Sequence, residues 1–132
     1  MKASPQPSTI FEDSGERFQA AVALFNRQEW YDAHDLFEEL WHEAMGEERE
    51  LLQGIIQIAV AEHHWLNGNK RGSLLLMAEG LNHLQATADQ ELALDLASLI
   101  AVVQQRLARL QAGESLLDLP WPVLGQLEAA QD

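Results

Sequence analysis

Hydrophobic residues recur along most of this chain at the three-to-four-residue spacing of an α-helix. Phe18, Val22 and Phe25 form one such stripe, which predicts a first helix ending near Asn26. Thr9 and Glu12 have capping-box spacing, so we expect that helix to begin there. The alternation of apolar and polar residues that is typical of a strand is absent.

The same periodicity predicts four more helices. They cover about Tyr31 to Met45, ended by Gly46; about Glu47 to Leu66; about Gly72 to Ala86; and Leu92 up to Gly113. The third helix of the chain is apolar over most of its circumference, which indicates the central element. We predict an all-α fold, a compact bundle of about five mostly antiparallel helices.

Proline occurs only near the two ends of the chain. Residues 1–8, which include Pro5 and Pro7, are expected to be a flexible lead-in, and residues 9–132 a single helical domain. The tail at residues 116–122 is too apolar to remain in water, so we expect it to dock on the bundle.

Composition narrows the classes of function. Among 132 residues there are 21 acids, 8 bases and no cysteine, for a formal net charge of −13. The absence of cysteine excludes a disulfide scaffold, a thiolate metal site and a cysteine nucleophile. The charge opposes binding to nucleic acid and to anionic membranes. With no signal peptide or apolar span, we expect a soluble, cytoplasmic protein.

Polar residues form a ridge beside the core stripe of the second helix. With Ala33 as zero on a helical wheel, His34, Glu38 and Trp41 lie at about 100°, 140° and 80°. On the third helix Gln53, Gln57 and His64 form a similar ridge. If the two helices are antiparallel, the ridges can face each other as a half-buried cluster roofed by Trp41. The remaining acids of the second helix are predicted to face water: Asp32, Asp35, Glu39 and Glu43.

This cluster admits three interpretations. His34 and Glu38, four residues apart, can project two ligands to a divalent metal ion, with His64 as a third; nitrogen and oxygen ligands suit Zn²⁺, Mn²⁺ or Fe²⁺. The same groups can form a buried hydrogen-bonded network, since their donors and acceptors match. They can also line a ligand-binding pocket. We therefore predict an intracellular binding or accessory protein.

Two other classes of function stay open. In an enzyme of the metal-dependent hydrolase type, Glu38 is the base and His34 or His64 moves the proton. No activated serine or phosphate-cradling glycine loop accompanies them, so a binding role is favoured. In an adaptor, the acidic residues 29–50 bind a basic partner. The tail with Trp121 is a candidate homodimer contact.

The sequence resembles domain of unknown function family 309 over about residues 18–84. The resemblance rests on Phe25-Asn26, on Glu29 to His34 with Glu38 and Trp41 (the H-x-x-x-E-x-x-W motif), and on Leu52 to Ala59 followed by His64 and Gly68-Asn69. It implies a small all-helical protein with a motif suggested to bind metal and no established activity. His63 replaces the aromatic residue expected before the second histidine and adds one more candidate ligand.

Overall fold

The computed structural model describes residues 15–88 and 94–126. Over these ranges the chain forms five α-helices and no β-strand, which confirms the all-α fold. The helices are α1 (Gly15–Asn26), α2 (Trp30–Glu43), α3 (Gly46–Leu66), α4 (Lys70–Ala86) and α5 (Leu96–Gln111). The predicted lead-in, the capping-box pair Thr9 and Glu12, and Leu92 lie outside the described residues.

Each helix packs against the next one in the chain. Tyr31, near the start of α2, contacts His63, near the end of α3. Trp41, near the end of α2, contacts Arg49, near the start of α3. Between α3 and α4 too, the residue nearer the start of α3 contacts the residue nearer the end of α4. Among α2, α3 and α4, helices that are neighbours in sequence are therefore antiparallel, as their short connections predict.

The connection between α2 and α3 differs from the prediction. Helix α2 ends at Glu43, because Ala44 and Met45 are extended, with ψ of 159° and 160°. The Ala44 side chain is buried, and its N–H still donates to Leu40 O. Gly46 has a φ of 61°, which glycine adopts without steric cost, and it begins α3 instead of ending α2.

Aromatic rings join α1 to α2. Phe37 of α2 is fully buried and packs edge-on against Phe18 and Phe25 of α1, with ring centroids 6.2 and 6.4 Å away. Phe25 also packs edge-on against Trp30 at 4.9 Å. These are favourable geometries for aromatic pairs. They fix the helix that carries His34 and Glu38.

Helix α3 is the central element, as its sequence predicts, and it approaches α4 closely at two glycines. Buried residues cover most of the circumference of α3. A Cβ on Gly54 would meet Gly80 O at 3.1 Å, and one on Gly80 would meet Ile58 Cδ1 at 2.8 Å and Gly54 O at 3.0 Å. The glycines therefore allow the two backbones to touch, which side chains at these positions would prevent.

We expect Gly80→Ala to lower the free energy of unfolding by about 1–2 kcal/mol. Overpacking costs about 1–3 kcal/mol, and the higher helix propensity of alanine returns part of it. Asn82→Ala, at an exposed position of α4, is the matched control and leaves stability nearly unchanged. Urea unfolding of the two variants measures the difference. A Gly80→Ala protein more stable than wild type would contradict the close contact.

The C-terminal segment, residues 114–126, docks on the helices, as predicted for residues 116–122. Leu116, Pro122 and Leu124 are buried, although Leu117 is 77% exposed. Asn26 fixes the segment with its amide, because Nδ2 donates to Leu124 O (3.1 Å) and Oδ1 accepts from Leu124 N (2.8 Å). No helix within the described ranges is long and apolar enough to cross a membrane.

Candidate functional site

The histidine and glutamate of the motif lie together on α2. Among residues 15–88 and 94–126, one group of three or more metal-ligand residues has its donor atoms within 4.8 Å of one another: His34, Asp35 and Glu38. The His34 side chain is 16% exposed and its Nε2 lies 3.6 Å from Glu38 Oε2. This turn of α2 therefore presents one imidazole and two carboxylates.

Glu38 differs from the prediction in its exposure. The wheel placed it on the core side of the helix, away from the exposed acids, yet half of its side chain is accessible. At the edge of the core stripe, a side chain as long as glutamate reaches solvent. Glu38 therefore does not need the buried partners that a core hydrogen-bonded network would have to supply.

The backbone sets the orientation of the His34 ring. Its Nδ1 lies 3.0 Å from Tyr31 O, and a carbonyl oxygen can only accept, so in the neutral ring Nδ1 carries the proton. Nε2 then has a free lone pair on the side of Glu38. A histidine that binds metal through one nitrogen while the other donates to a carbonyl has this arrangement.

His64 has the opposite tautomer. Asn69 Oδ1 accepts from Gly72 N at 2.9 Å, which places Asn69 Nδ2 3.3 Å from His64 Nδ1. The amide nitrogen Nδ2 can only donate, so Nδ1 of the neutral His64 ring accepts and Nε2 carries the proton. His64 is thus arranged as an N–H donor, and its use as a metal ligand requires the Asn69 contact to break.

The other residues of the two predicted ridges have separate partners. Gln57 Nε2 donates to Glu79 Oε1 of α4 at 3.0 Å, so this amide bridges α3 and α4. Gln53 is half-buried on α3. Trp41 packs against the core, and the Arg49 guanidinium covers its ring at 3.7 Å. The hydrogen bonds of Gln57 and His64 therefore run toward α4 and the turn before it.

His63 and Tyr31 adjoin the site, and Tyr31 was missed from the sequence. The Tyr31 ring centroid lies 5.1 Å from that of His34 and 5.4 Å from that of His63. Residues three apart on a helix are neighbours, so the position of Tyr31 relative to His34 is the signal that could have found it. Tyr31 therefore contacts both a histidine of the α2 group and a histidine of α3.

A buried ion pair between α3 and α5 was also missed. The Arg106 guanidinium donates two hydrogen bonds to the Glu62 carboxylate, both at 2.5 Å, and both side chains are fully buried. Burial raises the pKa of the Glu62 carboxyl, and Arg106 acts in the opposite direction. Arg106 also donates to Pro120 O and lies against the Trp121 ring. The pair therefore connects α3, α5 and the C-terminal segment.

These features define a small all-helical protein with a histidine–carboxylate group on its second helix. Residues 18–76 are similar to the family model described as Domain of unknown function (DUF309). The chain is also 33% identical over 86 residues to the uncharacterized protein YpuF of Bacillus subtilis (strain 168). That match covers 63% of this chain and 49% of the relative.

Proposed function

We propose that this chain is a small binding protein that holds a divalent metal ion on α2 through His34 and Glu38. The observation that carries the proposal is the His34 hydrogen bond to Tyr31 O, which directs the Nε2 lone pair toward the Glu38 carboxylate. Glu38 is accessible to an ion from solvent. Asp35 belongs to the same group, but its Oδ1 lies 3.3 Å from His34 Nδ1, the nitrogen that carries the proton.

The donor set favours a transition metal. Imidazole nitrogen suits Zn²⁺ and Fe²⁺, whereas Mg²⁺ and Ca²⁺ prefer oxygen ligands alone. Carboxylate oxygens are compatible with Zn²⁺, Fe²⁺ and Mn²⁺. Because a ligating imidazole must be unprotonated at the metal, we expect binding to weaken as the pH falls.

Metal titration of the tag-free protein, freed of metal with a chelator that is then removed, tests the proposal. We expect saturable Zn²⁺ binding by calorimetry, weakened at least about tenfold by His34→Ala. The matched control is His42→Ala, because His42 is an exposed histidine on the same helix that lies against Trp41. Equal affinities of the two variants, or no saturable binding by the wild type, would contradict the proposal.

A further inference from the structure

We propose that His63 of α3 is a further ligand of the metal site on α2, and that Tyr31 controls its access to that site. The inference rests on the proposed function, because it adds a ligand to the ion that His34 and Glu38 hold. In this proposal the ligand from the neighbouring helix is the histidine at position 63, and His64 does not bind the ion.

A single tyrosine ring connects the two imidazoles. Tyr31 contacts His34, one turn along its own helix, and His63 on α3. Tyr31 is 57% exposed, so its side chain can change rotamer without leaving a cavity in the core. When the ring swings toward solvent, it vacates the space that it occupies beside both histidines. The His34 ring keeps its orientation, because its hydrogen bond uses the backbone carbonyl of Tyr31.

The His63 ring is weakly held where it lies. Asn67 Nδ2 is 3.5 Å from its Nδ1 and 3.4 Å from its Nε2, both near the limit of a hydrogen bond. That amide already donates to His63 O at 2.8 Å, so it loses little when the ring turns. The partner of His64 is better fixed, because Asn69 accepts from Gly72 N in the first turn of α4.

The chemistry of the site favours a second imidazole. His34 and Glu38 give two ligands on the Nε2 side, because Asp35 Oδ1 lies beside Nδ1. A structural or catalytic zinc site takes at least three protein ligands. Two imidazoles with a carboxylate form a ligand set used for Zn²⁺ and for non-haem Fe²⁺. A ligand from α3 would also join two helices, so metal binding would stabilise the α2–α3 contact.

Titration with Co²⁺ tests the inference, because the visible absorption of bound Co²⁺ reports a change of ligands as well as the affinity. We expect His63→Ala to weaken binding at least about tenfold and to change the spectrum. His64→Ala, at the adjacent position, should leave both unchanged. Circular dichroism and thermal unfolding confirm that each variant folds.

Variants of Tyr31 test the control of access. Tyr31→Ala keeps the backbone carbonyl and removes the ring, so we expect it to tighten Co²⁺ binding about threefold or more, since apparent affinity scales with the competent fraction of molecules. Tyr31→Phe should bind as the wild type does. In the Tyr31→Ala/His63→Ala double variant the gain should disappear.

The outcomes separate the two proposals. If His34→Ala weakens Co²⁺ binding while His63→Ala and Tyr31→Ala leave it unchanged, the inference is overturned and the proposed function stands. Weakening by His64→Ala in place of His63→Ala also overturns the inference. If binding is absent or insensitive to His34→Ala, both proposals fail.

Discussion

Replacing Arg106 by methionine is expected to lower the free energy of unfolding by about 3–5 kcal/mol, the range for removing one partner of a buried ion pair. The change leaves the Glu62 carboxylate fully buried with neither of its two hydrogen bonds from the guanidinium. It also removes the donor to Pro120 O, which ties the C-terminal segment to α5. Urea unfolding of the variant and the wild type measures the loss.

The loss of unfolding free energy in Arg106→Met should depend on pH, and the burial of Glu62 sets the direction of that dependence. Burial raises the pKa of Glu62, and without Arg106 nothing opposes that rise. A carboxyl whose pKa is higher in the folded state destabilises the fold increasingly as the pH rises above its unfolded pKa. We therefore expect the difference between variant and wild type to be smaller at about pH 5 than at about pH 8.

A double variant is the control for this prediction. Glu62→Leu/Arg106→Met removes both charges and should recover much of the stability, since replacing a buried pair by apolar residues is often nearly neutral. A loss in Arg106→Met below about 1 kcal/mol, or a double variant less stable than the single one, would contradict a buried, paired Glu62.

Phe37→Ala is expected to cost about 3–5 kcal/mol, the range for truncating a buried phenylalanine. Phe37 is fully buried and its ring packs against Phe18 and Phe25, so the change leaves a cavity between α1 and α2. The turn of α2 that carries His34 lies next to this contact in sequence, because His34 precedes Phe37 by less than one turn.

Chemical unfolding of Phe37→Ala against Leu75→Ala tests this. Leu75 is 54% exposed on α4, so its truncation should change stability by less than about 0.5 kcal/mol. Similar losses in the two variants would mean that the aromatic contact between α1 and α2 contributes little to the fold.

Periodicity predicted the helices because each stripe reports which face is buried. Phe18, Val22 and Phe25 are buried as their spacing requires, and α3 packs against both α2 and α4. The first and last residues of the helices were predicted less accurately. Helix α2 ends at Glu43, before the extended residue Ala44. Helix α4 begins at Lys70, two residues before the predicted start, and is capped by Asn69, whose side chain accepts from Gly72 N.

The candidate site was predicted in part, since the spacing of His34 and Glu38 places both on one turn. The partners of the other predicted residues depend on contacts between helices, and a helical wheel represents only one helix. The Asn69 amide directs His64 toward the turn before α4, and Glu79 draws Gln57 to α4. Arg106, by contrast, could have been found from the sequence. It lies seven residues after Leu99, on the same buried face of α5.

We propose that His34 offers Nε2 to a metal ion because Tyr31 O holds the proton on Nδ1. Long-range proton–nitrogen NMR of the imidazoles, before and after addition of Zn²⁺, tests it most directly. We expect the neutral His34 ring to be the Nδ1–H tautomer and its Nε2 resonance to shift on Zn²⁺ binding. An Nε2–H tautomer for His34, or a Zn²⁺-induced shift confined to His42, His64 or His83, would contradict the account.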